Sequence, residues 1–365
     1  MTILCKKIGG HAAWKGPEID WKHDGLHIFT DEELDDIDQA LQSLKARGSL
    51  DFLAITRETF PLQVTVSTLE VVGRRLRNGR GFVMLRGLPR QKYSADDMAR
   101  IYFGLGCYLG QAMVQSYKGE YLGHVMDHTG LEKAPRAYHS GGHLGMHTDS
   151  CEIVGLMCLK SAISGGTSRI ASAVAIHDFL ADHHPDILDI LYRGFYYRKM
   201  ELDAQYGSGR MTSNSRIPVF TQYETPQDGH SIDCYFLGAY AKRAAMQGDF
   251  PLSSKELEAI DYVEKLAGSE DYYLDMSFAN GDIQFLNNRK ILHGRTDYVD
   301  SEVLDERRHL LRLWLHVPTW PALPAKQVFH TAEDRSRWLL QRRPFMEFPS
   351  LYFEDLKRTA DTKTS

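Results

Sequence analysis

Two histidines and an aspartate form the pattern in this sequence that is best suited to chemistry. His147 and Asp149 are separated by one residue, and His293 ends the distant apolar segment 283–293. Residues two apart on an extended chain point to the same side, so His147 and Asp149 can face one ion. Two imidazoles and one carboxylate leave three metal positions open, which is the ligand pattern of non-haem Fe(II) oxygenases. The sequence therefore predicts an iron site at these three residues.

The surroundings of His147 favour an extended chain. Glycines at 141, 142 and 145 disfavour a helix, and the apolar run 153–159 is typical of a buried strand. A second His-x-Asp motif occurs at His184-Pro185-Asp186. Its proline and acidic residue precede the apolar pattern of 187–191 and are typical of a first helical turn. We therefore interpret the second copy as a helix start.

Zinc is the rival interpretation of this region. His139, His143 and His147 are spaced by four, as ligands on one helical face would be. The glycines between them argue against that helix, and no His-Glu-x-x-His motif occurs. A zinc hydrolase therefore remains the weaker alternative.

Composition narrows the class of protein. The 365 residues can bury a large core, and 43% hydrophobic and 25% charged residues are ordinary for a globular protein. A net charge of −5 gives no basic footprint for nucleic acid. Five scattered cysteines without a Cys-x-x-Cys pair suit reduced thiols, and neither a signal peptide nor a membrane span is apparent. We expect a cytoplasmic protein that binds a small molecule, without nucleic acid or membrane partners, and homo-oligomers are compatible with this interpretation.

Local patterns predict helices first and strands later. Capping residues at Thr30, Ser94 and Ser253 each begin an expected helix, and further helices are expected at 66–77, 185–192 and 332–342. Strands are expected at 81–87, 153–159, 167–172, 217–223, 231–236, 272–278, 283–287, 290–293 and 308–317, with a turn at 226–229 and a polar tail over 357–365. This order suggests a sheet-based barrel or sandwich with helical cover.

Separated segments, taken in order, resemble the TauD/TfdA (taurine/2,4-D dioxygenase) family of Fe(II)/2-oxoglutarate-dependent oxygenases. They are His147-Thr148-Asp149; Gly165-Gly166-Thr167-Ser168 with the helix after it; and Asn280-Gly281-Asp282-Ile283 with Asn288 and Arg307-Arg308-His309-Leu310-Leu311-Arg312. The resemblance extends from about 81 to 316. It implies a mainly β fold with helical cover (α+β), a double-stranded β-helix or jelly roll like that of clavaminate synthase.

The resemblance also implies roles for individual residues. The family's iron ligands fall on His147, Asp149 and His293. The arginine that holds the distal carboxylate of 2-oxoglutarate falls on Arg308, and the hydroxyl residue that helps hold it falls on Ser168, where the family usually has threonine. The implied cofactors are Fe(II), 2-oxoglutarate and O2.

Further positions mark the substrate side and the departures from the family. Arg312 corresponds to an arginine that lies by the substrate in some members, and it needs a partner because it stands among apolar residues. His143 is a second candidate substrate contact. Thr167 stands where the family has aspartate before the hydroxyl residue, and Asn287 also replaces an aspartate. Gln115, Tyr117 and Tyr138 are further residues able to contact substrate.

We expect one domain over 1–365, with a mostly helical part at 1–80, a jelly-roll core at 81–320 and a C-terminal helix and tail at 321–365. The expected reaction oxidises an unactivated C–H bond of a small, anionic metabolite and releases succinate and CO2. Hydroxylation is the default outcome, and desaturation or cyclisation would use the same site. A jelly-roll protein that binds metal without turnover is the alternative from another class, beside the zinc hydrolase.

Overall fold

The computed structural model describes residues 6–48, 51–129, 139–225 and 229–364. The helices are α1 (Trp21–Asp24), α2 (Asp31–Lys45), α3 (Thr65–Asn78), α4 (Ala95–Gly106), α5 (Ala173–His183), α6 (Pro185–Arg193), α7 (Glu201–Gln205), α8 (Gly238–Met246), α9 (Ser254–Ala267), α10 (Ala332–Leu339) and α11 (Pro349–Thr364). The strands are β1 (Leu26–Ile28), β2 (Phe82–Arg86), β3 (Gln111–Ala112), β4 (Leu122–Val125), β5 (Leu144–His147), β6 (Ile153–Lys160), β7 (Ser164–Gly165), β8 (Ser168–Ser172), β9 (Phe220–Thr225), β10 (Gly229–Cys234), β11 (Tyr273–Met276), β12 (Ile283–Asn287), β13 (Ile291–Arg295), β14 (Tyr298–Val299) and β15 (His309–His316).

Helix starts follow the capping chemistry of the sequence. The hydroxyls of Thr30, Ser94 and Ser253 each accept a backbone N–H in the first turn of α2, α4 and α9. Pro185 begins α6, so the second His-x-Asp motif is a helix start, as predicted. Capping residues therefore located these helices correctly.

The strands form a larger and a smaller sheet. The larger sheet has the order β1-β2-β12-β6-β15-β3, with β4 also paired to β15, and the smaller sheet has the order β11-β8-β13-β5. Apart from the parallel β1–β2 pair, both sheets are antiparallel. The hairpin β9–β10 and the long-range two-stranded pair β7–β14 lie outside them. Among the described residues the sheets do not close into a barrel.

Side-chain alternation along the strands separates three apolar cores. Met84 and Trp314 of the larger sheet pack with Ile170 and Met276 of the smaller sheet, in the space between the two. Neighbouring positions in the larger sheet, such as Val83, face the opposite way and contact α2, α3 and α4. The outer face of the smaller sheet packs against α5, α6 and α9. The space between the sheets is where the predicted ligand residues must meet.

The C-terminal tail corrects the sequence prediction. Residues 357–364 belong to α11, where the sequence predicted a polar tail. Tyr352 and Leu356 of this helix pack on Met126, so tertiary contact stabilises a segment with few apolar residues. The turn expected at 226–229 lies largely outside the described residues. No helix in the described part of the chain is long and apolar enough to cross a membrane.

Candidate active site

Neighbouring strands bring the predicted ligand residues together. His147 ends β5, His293 lies in β13, and the antiparallel register pairs these two residues directly. Asp149 follows two residues later. The backbone N–H of Thr148 donates to the carbonyl of Phe236, and the Thr148 hydroxyl accepts the N–H of Phe236, which fixes the turn between His147 and Asp149.

The three side chains form a cluster of the size that a metal ion requires. One ligand atom from each of His147, Asp149 and His293 lies within 4.8 Å of the others. Nε2 of His147 is 3.9 Å from Oδ1 of Asp149, and Nε2 of His293 is 3.6 Å from Oδ2. Ligands about 2.1 Å from an ion and at right angles are roughly 3 Å apart. Small side-chain shifts would therefore seat an ion.

Hydrogen bonds orient two of the candidate ligands. Nδ1 of His147 donates to the carbonyl of Gly145 at 2.8 Å, which leaves the lone pair on Nε2 for a metal. Oδ2 of Asp149 accepts the indole N–H of Trp314 at 2.9 Å. The side chain of Asn288 accepts the backbone N–H of Asp149 and donates to its carbonyl. These contacts support the ligands as outer partners of metal sites do.

Electrostatics set the protonation states that a metal needs. Burial, and then the adjacent His293 ring, lowers the pKa of His147 to about 4, so this imidazole is neutral near pH 7. Burial opposes ionisation of Asp149, but the Arg312 guanidinium and both imidazoles hold the pKa of this carboxyl well below its usual range. A neutral imidazole beside a carboxylate is the donor set for a divalent cation.

Arg312 lies beside this cluster. Its Nη1 is 3.8 Å from Oδ2 of Asp149, and its Nε donates to Oε1 of Gln115 at 2.8 Å. The amide nitrogen of Gln115 donates to the carbonyls of Tyr121 and Arg312. The predicted need of Arg312 for a partner is therefore met by Asp149 and Gln115, and both lie in the same cavity as Arg312.

A cavity of about 630 Å³ opens onto two of the candidate ligands, His147 and Asp149. His143, Gln115 and Arg312 line it, as the sequence suggested for substrate contacts. Tyr117 stacks on Tyr206 and is not part of this wall, and Tyr138 lies outside the described residues. Three further lining residues were missed: Asp203, Trp314 and His330. A larger, more open groove of about 920 Å³ on the helical side contains none of the three ligand residues.

The missed cavity residues differ in whether the sequence could have revealed them. Because side chains alternate along a strand, Trp314 lies on the same face as Arg312. Its presence at the site could therefore have been predicted from the sequence. Asp203 lies in the short helix α7, and His330 follows the last core strand; neither stands in a motif.

Ser168 lies on the strand next to His293, Arg308 immediately precedes β15, and neither residue lines this cavity. Ser168 pairs with Arg295, two residues beyond His293, and its hydroxyl donates to Oε1 of Gln284 at 2.9 Å. Ser168 therefore begins β8 near His293, and Arg308 stands just before the start of β15.

The side chain of Arg308 is buried against the ring of Tyr298, 5.0 Å from its centroid. Burial lowers the pKa of Arg308, and its Nη1 has no hydrogen-bond partner among the described residues. A Cβ at Gly166 would stand 2.9 Å from the guanidinium, and φ there is +67°, so the glycine leaves room for the arginine. A buried cation with an unused donor suits an anionic ligand.

The zinc interpretation does not fit the structure. Residues 144–147 form β5, so His143 and His147 do not share a helical face. His139 lies elsewhere, with its ring centroid 3.9 Å from that of His128.

Comparison with known proteins identifies the family. The family model described as "Taurine catabolism dioxygenase TauD, TfdA family" matches residues 53–314. The chain is 29% identical over 330 residues to a taurine hydroxylase-like protein of Stachybotrys chartarum. The aligned region covers 85% of this chain and 80% of the relative. It is 25% identical over 338 residues to FR-33289 synthase of Streptomyces rubellomurinus, with 90% and 96% coverage.

Solved structures show the same fold at lower identity. An asparagine oxygenase in complex with Fe(II), hydroxyasparagine and succinate has a TM-score of 0.61 at 15% identity, covering 80% of this chain and 93% of that one. The non-haem iron oxygenase OrfP with iron and 2-oxoglutarate has a TM-score of 0.57 at 12% identity, covering 80% and 94%. The predicted fold is confirmed, and the zinc hydrolase and the non-catalytic metal binder are not favoured. The chain belongs to the TauD/TfdA family of Fe(II)/2-oxoglutarate-dependent dioxygenases.

Proposed function

We propose that this dioxygenase binds Fe(II) through His147, Asp149 and His293 and oxidises a C–H bond of a small, amino-acid-like substrate. The observation that carries the proposal is the ligand cluster itself, with atoms of all three residues within 4.8 Å of one another. The donor set also leaves positions for a chelating 2-oxo acid and O2.

The proposed reaction converts substrate, 2-oxoglutarate and O2 into hydroxylated substrate, succinate and CO2. Bound iron supplies the activation of O2 that couples decarboxylation to C–H oxidation. The protein's own contribution is to hold the His147 imidazole neutral, keep Asp149 ionised and orient it through Trp314. These features prepare the site for a divalent cation before it binds.

We assign the distal carboxylate of 2-oxoglutarate to Arg308 and a second contact to Ser168. The unused Nη1 donor of the buried Arg308 supports this assignment, because a planar guanidinium grips a carboxylate with two charge-assisted hydrogen bonds. The Ser168 hydroxyl donates a hydrogen bond to Gln284, so its hydrogen would be shared between Gln284 and the 2-oxoglutarate carboxylate.

The substrate class rests on the cavity and on the relatives. A volume of about 630 Å³ suits a small molecule, and its wall carries Arg312, Arg243, Asp203 and Glu264. Neighbouring enzymes of the same fold hold hydroxyasparagine or hydroxyarginine. A substrate with a carboxylate or sulfonate and an amino group would find opposite charges on this wall.

Iron-dependent succinate release tests the reaction class. The purified protein with Fe(II), 2-oxoglutarate and O2 should release succinate slowly without substrate, and His147→Ala should release at least about 100-fold less. His183→Ala, an exposed residue of α5, is the matched control and should behave as the wild type. Equal release by wild type and His147→Ala would refute the proposal.

A substrate panel then tests the substrate class. The proteinogenic L-amino acids and taurine are added separately, and acceleration of succinate release is measured together with the mass of the product. One oxygen atom added to an accelerating compound supports hydroxylation, and a loss of two hydrogens indicates desaturation or ring closure. Acceleration only by uncharged, apolar compounds would contradict the amino-acid-like class.

A further inference from the structure

One histidine in the wall of the active-site cavity comes from the segment that follows the last core strand. His330 lies just before α10 and lines the cavity, and only 9% of its surface is exposed. Its ring packs between Phe329 and Trp338, at centroid distances of 4.6 and 4.9 Å. This position is beyond residues 53–314, so the family match assigns it no role.

The ring of His330 packs within the fold, but one of its nitrogens makes no hydrogen bond there. Its buried Nδ1 has no hydrogen-bond partner among the described residues. The neighbouring polar groups bond to each other instead: Asp203 accepts the backbone N–H of Tyr117, and Lys199 donates to Asp334. A buried polar group without a partner lowers the stability of the fold, so its presence in a cavity wall requires an explanation.

The charge state of His330 defines what it can bind. Burial lowers the pKa of this histidine to about 3, so the ring is neutral near pH 7 and has one N–H and one lone pair. Asp203, 2% exposed, lines the same cavity and is one of the charged groups that act on the His330 ring. A lone pair beside a carboxylate forms a pair of acceptors, and an ammonium group supplies the matching donors.

We propose that His330, together with Asp203, binds the amino group of the substrate and selects amine-bearing compounds. This inference rests on the proposed dioxygenase function and extends it to a specificity-determining residue outside the family's matched region. In the substrate-free protein the unpartnered nitrogen lowers the stability of the fold. It gains a hydrogen bond only when substrate binds.

Two substitutions at this position separate binding from packing. His330→Phe keeps an aromatic ring of similar size between Phe329 and Trp338 but removes both nitrogens, and His330→Gln restores a side chain able to hydrogen-bond. The matched control is His177→Phe, because His177 is fully buried and both its nitrogens contact polar groups, Asp178 and Tyr192.

The measurement uses the panel amino acid that most accelerates succinate release and its analogue with hydrogen in place of the amino group. The wild type should prefer the amine by about 10-fold or more in kcat/KM. His330→Phe should lose that preference through KM, His330→Gln should recover part of it, and His177→Phe should retain it.

Thermal unfolding supplies a readout that does not depend on any substrate. Removing an unpartnered buried nitrogen should leave the melting temperature of His330→Phe unchanged or raise it, whereas His177→Phe should melt lower. A lower melting temperature for His330→Phe, or an unchanged preference for the amine, would overturn the proposal. Absence of iron-dependent succinate release in the wild type would instead refute the dioxygenase function itself.

Discussion

Two regions of the molecule bury histidines for different purposes. The cavity histidines are His147 and His330, which line the cavity, together with the third candidate ligand, His293. The helix-side histidines are His124 and His309. All of them except His147 are at most 9% exposed, so burial alone does not distinguish the two groups.

The helix-side histidines complete each other's hydrogen bonds. Nε2 of His124 donates to the carbonyl of Met346 at 3.1 Å, so its Nδ1 must accept the N–H of His309 Nε2 at 2.8 Å. The ring of His124 also stacks on Tyr352 of α11 at 3.8 Å between centroids. These two imidazoles join β4 and β15 to the C-terminal helix, which is a structural role.

The cavity histidines retain unused nitrogens. His147 donates through Nδ1 only, and the buried Nδ1 atoms of His293 and His330 have no partner among the described residues. Burial lowers the pKa of His309 and His330 alike, to about 3. A buried ring nitrogen without a partner, rather than burial or pKa, therefore distinguishes His293 and His330 from His124 and His309.

The largest expected difference between the groups lies in iron binding. His293→Ala should weaken iron binding and succinate release by about 100-fold or more, because a ligand loss exceeds the 10–100-fold effect of an outer partner. Its stability without iron should change little. His309→Ala should bind iron normally but lose about 1–3 kcal/mol of unfolding free energy, because it leaves Nδ1 of His124 unpaired.

Iron titration and urea unfolding of the two variants measure this contrast. If His309→Ala lost iron binding while His293→Ala retained it, the assignment of the two groups would be reversed.

Arg308 extends the comparison to a buried cation with an unused donor. Arg308→Lys keeps the charge but cannot grip a carboxylate with two parallel hydrogen bonds, so half-saturation by 2-oxoglutarate should rise about 10-fold or more. Iron binding should be unchanged. The control is the adjacent Arg307→Lys, whose guanidinium bonds to the carbonyls of Ser301 and Asp127. A similar rise in the 2-oxoglutarate concentration for half-saturation in both variants would contradict the assignment of Arg308.

Trp314 tests the support behind a ligand. Trp314→Phe removes the N–H that donates to Oδ2 of Asp149 and preserves most of the packing between the sheets. Iron affinity should fall about 10-fold, the lower end of the effect of outer partners. Trp21→Phe, in helix α1, removes no hydrogen bond to a candidate ligand and should leave iron affinity unchanged. An unaffected affinity in Trp314→Phe would show that the indole does not orient the carboxylate.

The features predicted best from the sequence are those set by neighbouring residues. The capped starts of α2, α4 and α9 depend on one hydroxyl and the first turn after it, and the strand at Ile283–Asn287 has the predicted bounds. The prediction of a polar tail after 357 was wrong because α11 is stabilised by packing on Met126, which lies far away in the chain.

The site divides in the same way. The spacing of His147 and Asp149 is local and can be predicted from the sequence. The pairing of His293 opposite His147 is a matter of sheet register, which local sequence does not specify. Nothing in the sequence around His330 indicates a cavity wall, because its position depends on how the C-terminal segment packs against the core. Long-range packing therefore limits what the sequence reveals about substrate contacts.

Acid unfolding is the most subtle way to sharpen the comparison. His309 is neutral in the folded protein, where burial lowers its pKa to about 3, and titrates near 6.5 when unfolded. Between these values the unfolded state binds more protons, so the stability from His309 is complete above pH 6.5 and is lost as pH falls toward 3.

Each such histidine contributes a slope of about 1.4 kcal/mol per pH unit in that window. Urea unfolding at pH 7.5, 6.0 and 5.0 should show a shallower loss for His309→Phe and for His330→Phe than for the wild type. Above pH 7 the two variants should differ: His309→Phe is less stable because it breaks the bond to His124, and His330→Phe is as stable as the wild type or more so. His23→Gln, an exposed position, should keep the wild-type slope. An equal loss of stability at pH 7.5 in both phenylalanine variants would mean that His330 is bonded within the fold, and the distinction between the two groups of histidines would fail.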